Sequence, residues 1–226
     1  MPKDVYWPQE DTDLIIETIN EWLKDNWKTF LEKESLKIIE IGIGSGAVVL
    51  FLIKKLNSYF LDSKLISDKI KAIGIDKNPL AIKTSKKNAE KNKLNSYINF
   101  YQGDLFTPLK NKELNPYQRG APYDILIFNP PYLPSSGLDE RRNDKRKKFK
   151  NLTWNGGEQG YELTYRFLDK SVSFIQPGTL LFLVSSSMVN QDKIKKKFKQ
   201  LNFKIVTMKK THIFFEDIIC YILKYK

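Results

Sequence analysis

The amino-acid sequence predicts an α/β three-layer sandwich around a mostly parallel sheet whose last strand runs antiparallel. Three observations carry that expectation. Apolar runs at 36–41, 70–75 and 123–128 are hydrophobic nearly throughout, as strands covered on both faces must be. Segments of helical periodicity alternate with them. The final two apolar runs, 203–208 and 218–223, are joined by a connection too short for a crossover helix, so the final pairing is antiparallel.

The elements follow in order. Ile15, Ile19, Trp22, Leu23, Trp27 and Phe30 recur at helical spacing, and Asp11, Thr12 and Asp13 supply capping side chains and negative charge at that helix's start. A strand at 36–41 leads to a helix at 47–56 and a second strand at 70–75. Asn78-Pro79 opens the next helix with a favoured cap and a first-turn proline. Strands at 97–101 and 123–128 come next, then a helix at 163–174, a strand at 179–184, a lysine-rich helix at 192–200 and the closing pair of strands. The stretches 111–120 and 134–160 are long and polar enough to be working loops. No repeat or linker divides the 226 residues, so a single domain with one core is expected.

Composition excludes several function classes. No apolar stretch approaches the ~20 residues of a membrane span, and the polar, proline-containing start is unlike a secretory leader; the cytoplasm is the expected compartment. One cysteine, Cys220, inside an apolar strand, excludes a disulfide framework and a self-contained thiolate metal site. One histidine, His212, leaves no Ser-His-Asp triad and no multi-histidine zinc site within this chain, and no metal is expected. The net charge is +12, concentrated in Arg141, Arg142, Lys145, Arg146, Lys147, Lys148 and Lys150, and again in Lys193, Lys195, Lys196, Lys197 and Lys199. Such an excess attracts phosphates or acidic surfaces without choosing between them.

The chemistry concentrates at the strand ends. Asn129-Pro130-Pro131-Tyr132 closes the strand at 123–128. Two prolines remove two backbone donors and stiffen the chain, and Pro130 holds Asn129 extended. The result is a rigid corner offering the Asn129 side-chain oxygen, the Pro130 carbonyl and the Tyr132 ring, suited to grip and stack on a planar NH2 group. Gly42, Gly44 and Gly46 follow Glu40 at the end of the first strand, allowing close approach of a ligand to backbone and helix N-terminus. That glycine-rich turn alone fits dinucleotide binding equally well. Asp76 closes the second strand, where an acid accepts ribose hydroxyls, and Asp104, ahead of Leu105, closes the third, where it could accept from an adenine amino group. In an open parallel sheet these carboxyl ends, near the switch point, are where ligands bind.

With these residues the chain resembles class I S-adenosylmethionine-dependent methyltransferases, and within them the HemK-like group. Val5-Tyr6-Trp7-Pro8-Gln9-Glu10-Asp11-Thr12 is similar to the N-terminal signature of the archaeal and eukaryotic release-factor glutamine N5-methyltransferases, and Trp154-Asn155-Gly156-Gly157-Glu158-Gln159-Gly160 to their Trp-x-Gly-Gly-x-x-Gly loop. The resemblance implies a Rossmann-like sheet and one methyltransferase domain over residues 1–226, with a short helical extension over about 1–34. It implies cofactor contacts from Thr12, Glu40, Gly42, Gly44, Gly46, Asp76, Asp104, Leu105 and Asn129, with Asn129, Pro130 and Tyr132 gripping the target nitrogen. It further implies a small zinc-binding activator subunit. In the usual strand order the strand at 97–101 is a sheet edge, and Tyr97, Phe100 and Tyr101 there invite strand addition. The bacterial relatives' extra N-terminal docking domain is not matched, so loops or another subunit read the substrate. The basic run from Arg141 to Lys150 departs from the family, offers a contact for nucleic acid or ribonucleoprotein, and leaves the substrate open. The favoured target is the glutamine of a Gly-Gly-Gln motif in a peptide-release factor. Protein lysine and exocyclic amines of adenine or guanine in RNA or DNA are alternatives, and a non-catalytic binding module is the reading that the intact corner argues against.

Overall fold

The computed structural model describes residue 5 and residues 8–62, 69–110, 122–134 and 156–226. Tyr6, Trp7, Trp154, Asn155, the loop at 111–120 and the basic run at 141–150 lie outside the described residues. The chain opens with α1 (Glu10–Asn26), followed by β1 (Leu36–Ile41), α2 (Ala47–Asp62), β2 (Ile70–Asp76), α3 (Pro79–Lys91) and β3 (Ile98–Gln102). It continues with β4 (Tyr123–Phe128), α4 (Glu162–Ser171), β5 (Ile175–Ser186), α5 (Gln191–Gln200), β6 (Phe203–Ile213) and β7 (Glu216–Tyr225).

Among the described residues the strands form one sheet of order β3-β2-β1-β4-β5-β7-β6. The pairs from β3 across to β5 are parallel, and β7 runs antiparallel to both β5 and β6. All six residues of β4 are buried, which requires cover on both faces and gives the expected three layers. The strand order reverses beside β1, which lies between β2 and β4. Register aligns Ile41 with Ile75 on one side and with Phe128 on the other. Glu40, Asp76 and Asn129, far apart in sequence, therefore end on one rim.

Two elements brace that rim. Leu14, Ile15, Ile19 and Leu23 of α1 are buried, and Trp22 meets Phe182 of β5 edge-on at 6.1 Å. From α4, Phe167 stacks on Phe128 at 4.2 Å and on Phe106 at 5.5 Å. Burying such rings contributes about 1.5–3 kcal/mol each, and aromatic contact fixes their geometry.

The structure corrects three local expectations. The helix α1 begins at Glu10, with Gln9 as its cap residue and no side-chain cap bond. Asp11 and Thr12 thus sit inside the first turn and are buried, while Asp13 is exposed. The α3 start is as expected, with the Asn78 side chain accepting the Leu80 N–H at 2.9 Å. Second, β5 begins at Ile175, upstream of Pro177-Gly178. The register jumps there, pairing Tyr123 with Ile175 and Ile125 with Leu180. This bulge absorbs Pro177, which has no N–H, and Gly178 at φ +96°. Thr179 Oγ pins it by donating to the Tyr123 carbonyl and accepting the Gln176 N–H. Third, β6 and β7 run five and two residues beyond the expected ends, to a two-residue turn at Phe214-Phe215, with Phe214 at φ +50°.

Candidate active site

A cavity of about 540 Å³ opens over the carboxyl ends of the parallel strands, within the ~300–1,000 Å³ of small-molecule sites. Of the residues singled out in the sequence, Thr12, Glu40, Gly42, Gly44, Asp76, Asp104, Leu105, Asn129, Pro130 and Tyr132 all line it. Gly46 does not. At φ +81° it immediately precedes α2, and a Cβ there would come within 3.2 Å of Ser85 Cβ and 3.3 Å of Leu50 Cδ1. Its smallness serves helix packing behind the cavity wall.

Three acids stand at the strand ends in the lining. Glu40 is buried and accepts the Val49 N–H at 3.1 Å. Burial pushes its carboxyl well above the usual range, the Val49 bond offsets part of this, and the neighbouring Asp76 charge adds to it. Asp76 accepts Gly44 N–H at 2.9 Å and Asn78 N–H at 2.8 Å. Burial also raises its carboxyl, against the lowering effect of backbone N–H groups from Asn78, Gly44 and Lys77. Asp104 is half-exposed and ion-paired to Arg166 of α4 at 2.7 Å. One of its oxygens is thereby engaged. Leu105, at φ +51°, is buried against this wall.

The Asn-Pro-Pro-Tyr corner forms a further part of the lining. Asn129 Nδ2 donates to Asp11 Oδ2 of α1 at 3.1 Å. Asn129 Oδ1 is buried without a hydrogen-bond partner, although buried acceptors are nearly always paired. Tyr132 is buried, and burial with the charges of Asp11, Glu216 and Glu10 raises its phenol far above the ordinary range, so it stays neutral. The glycines at 156–160 brace this corner. A Cβ on Gly156 would lie 2.8 Å from the Pro131 carbonyl, and one on Gly160 2.5 Å from the Tyr132 carbonyl. Gly156 N–H donates to the Leu133 carbonyl at 2.9 Å. Only residues without side chains allow two backbones this close.

Sequence reasoning missed two residues here. Arg166 carries no motif, and its engagement of Asp104 follows from where α4 packs. Asp11 reads in sequence as one of two acids, with Asp13, offered at a helix start; its burial singles it out only in three dimensions.

The methyltransferase-domain family profile matches residues 32–212. The chain belongs to that family. This methyltransferase is 28% identical over 216 residues to a Methanocaldococcus jannaschii protein named as a protein N5-glutamine methyltransferase, covering 96% of this chain and 89% of the relative. It is 30% identical over 177 residues to the release factor glutamine methyltransferase of Moorella thermoacetica, covering 78% of this chain and 52% of that protein. The chain therefore spans about half the length of this bacterial relative. In structure, it superposes at TM-score 0.60 and 18% identity, over 99% of both chains, on the E. cuniculi Mtq2–Trm112 complex described as methylating the translation termination factor eRF1. The ribosomal protein L11 methylase of Lactobacillus delbrueckii subsp. bulgaricus gives TM-score 0.60 at 12% identity, over 98% of this chain and 81% of the other. At such identities these two likenesses concern the fold. Among the described residues no helix is long and apolar enough to cross a membrane.

Proposed function

We propose that this methyltransferase uses S-adenosylmethionine to methylate a glutamine side-chain amide nitrogen, that of the Gly-Gly-Gln motif of a peptide-release factor. The observation that carries the reading is Asn129 Oδ1, a buried acceptor lacking a partner in the cavity wall beside Pro130. An NH2 group with two hydrogens to place satisfies Asn129 Oδ1 and the Pro130 carbonyl together. The names of the archaeal and bacterial relatives support the choice of an amide over a base amine.

The residues present fit the cofactor. Asp76 and Glu40 would accept ribose hydroxyls, and Gly42 and Gly44, both at positive φ, let backbone approach its amino-acid end. Asp104 and Leu105 would border the adenine, and Thr12 would close the near side. When bound, S-adenosylmethionine supplies an electrophilic methyl carbon. The chain supplies alignment. A carboxamide lone pair is delocalised, and holding both its hydrogens turns the nitrogen toward the methyl group; the new N–C bond is balanced by loss of one of those two N–H protons to solvent. Alignment of that kind is worth up to about 7–11 kcal/mol of barrier. The stiff Pro130-Pro131 link keeps the two acceptors at fixed separation, and the Tyr132 ring stacks on the amide plane and excludes water.

The same reading takes residues 1–226 as one methyltransferase domain with a helical extension over about 1–34. Packing of α1 on α2 and on β5, β6 and β7 supports a single unit. It also takes β3, at the sheet edge, as the seat of a small zinc-binding activator that adds a strand beside Tyr97, Phe100 and Tyr101. These three are half-buried within this chain, which leaves apolar area for a partner to cover. A soluble, active, monodisperse protein purified alone would overturn the need for it.

The deciding experiment offers labelled S-adenosylmethionine with release factor, bulk tRNA and ribosomal RNA side by side, with and without nuclease. Label is expected on the release factor and to be lost when its Gly-Gly-Gln glutamine is replaced. Nuclease-sensitive label would overturn the reading in favour of a base amine.

A further inference from the structure

A carboxamide side chain has two ends of nearly equal shape, and only its partners decide which end faces a site. The catalytic reading of Asn129 therefore depends on something that keeps its oxygen, and not its NH2, toward the substrate. Asp11 is that group. Its Oδ2 receives Asn129 Nδ2 at 3.1 Å. An ionised carboxylate only accepts, so turning the amide over would set oxygen against oxygen. With Nδ2 committed to Asp11, Oδ1 faces the other way, buried and without a partner.

Asp11 is itself held in place. It is only 4% exposed, and its Oδ1 takes the Thr12 N–H at 2.6 Å and the Thr12 hydroxyl at 3.3 Å. Burying a carboxylate is costly, whereas favouring a helix N-terminus needs no burial; Asp13, in the same turn, is exposed. A run from carboxylate through the Asn129 amide to the substrate N–H also polarises along its length, strengthening Oδ1 as an acceptor. Positive charge grows on the substrate nitrogen during methyl transfer, and a fixed negative charge behind Asn129 favours that change.

We propose that Asp11 is a positioning residue: its carboxylate locks the Asn129 amide in the orientation that presents Oδ1 to the substrate nitrogen. The proposal rests on the glutamine-methylating reading above and concerns the same site.

The test is a polarity swap. Asp11→Asn, Asn129→Asp and the double variant are compared with the wild type, with Asp13→Asn controlling for first-turn charge, each with whatever partner the wild type requires. In Asp11→Asn either end of the new amide can face Asn129, and the orientation is lost. The expected result is a fall in kcat of roughly tenfold or more, with S-adenosylhomocysteine affinity kept within about threefold of wild type by calorimetry. Asn129→Asp faces carboxylate with carboxylate and is expected to be poorer still. In the double variant the amide at position 11 donates to the carboxylate at position 129, which again offers oxygen to the substrate. Its kcat should therefore recover at least roughly tenfold over Asn129→Asp alone. Asp13→Asn should match wild type. Wild-type kcat in Asp11→Asn, or no recovery in the double variant, would overturn the proposal. So would a loss of cofactor-product affinity equal to the loss of kcat, which would mark Asp11 as merely structural.

A second readout needs no turnover. In 15N-asparagine-labelled protein, one Asn129 Nδ2 proton should be shifted downfield by the carboxylate and return toward the position of a solvated amide in Asp11→Ala. If the wild type methylates no glutamine while this signature holds, the substrate reading fails and the orientation stands. If the signature is missing, the orientation fails whatever the substrate.

Discussion

Asn129→Ala separates catalysis from stability, and the structure says by how much. The substitution removes one bond, from Asn129 Nδ2 to the Asp11 carboxylate at 3.1 Å. A hydrogen bond to a charged group is worth about 1.5–3 kcal/mol. It also removes Asn129 Oδ1, whose unpaired burial costs about 1–3 kcal/mol in the native state. The two changes oppose each other, so the net effect on folding is within about 2 kcal/mol, or a melting shift of no more than roughly 8 °C in a domain of this size. Catalysis has no such compensation. Loss of one preorganised polar contact to the reacting group typically lowers kcat by about 10²–10³, or 2.7–4 kcal/mol, and the Pro130 carbonyl alone leaves the amide to swivel. The assay is single-turnover transfer of labelled methyl to the glutamine substrate, alongside scanning calorimetry and S-adenosylhomocysteine titration. A kcat within about threefold of wild type would refute the acceptor role. A loss of activity matched by collapse of the melting transition would refute the argument that the oxygen is an unsatisfied group awaiting a ligand.

Three further outcomes follow from the site and its supports. Burial raises the Glu40 and Asp76 carboxyls above their unfolded values. Their stabilising contribution is therefore complete below the ordinary carboxylate pKa and is lost as pH rises through the raised values. Melting of the ligand-free protein should fall over that window, and Glu40→Gln should flatten the fall, raise stability at neutral pH and weaken cofactor-product binding. An unchanged slope would dismiss the burial argument. Gly46→Ala meets positive φ and a crowded Cβ site, and should cost about 1–3 kcal/mol in calorimetry with affinity intact. Gly42→Ala meets positive φ as well but no crowding, its nearest neighbour being Phe128 Cε2 at 3.9 Å; it should cost less stability than Gly46→Ala and lower affinity besides. Cys220 is buried and its thiol is pushed up to about 12 by burial, partly offset by a bond with Thr18. Aromatic disulfide reagents should label it only as fast as the protein unfolds; rapid labelling of the native protein would contradict its place in the core.

The parallel sheet and the rim were legible because each rests on local signals. A strand buried on both faces writes itself as an uninterrupted apolar run, and β1, β2 and β4 all do so. Motifs at strand ends need no distance information, since the parallel order carries them to one side. The misread places are those where a local rule yields to tertiary contact. The strand expected at 179–184 leaves out Pro177-Gly178, yet the Thr179 hydroxyl lets the bulge remain within the strand. Phe214-Phe215 carries no turn residue, and two aromatics, 85% and 95% exposed, are a poor forecast of a hairpin tip.

Asp11 shows the deeper reason that part of the site stays hidden in sequence. Its bond to Asn129 joins residues 118 positions apart, and neither end has a composition that predicts the other. An acid in the first turn of a helix is already explained by the helix dipole, so local reasoning has nothing left to account for and stops. What exposes the contact is a mismatch: Asp11 is buried where Asp13, under the same dipole, is not. The cost of burying that charge has to be recovered elsewhere, and the recovery is visible as an asparagine whose nitrogen is engaged and whose oxygen is left over. The corner is written in four adjacent residues, but the direction in which it works is set from the other end of the chain.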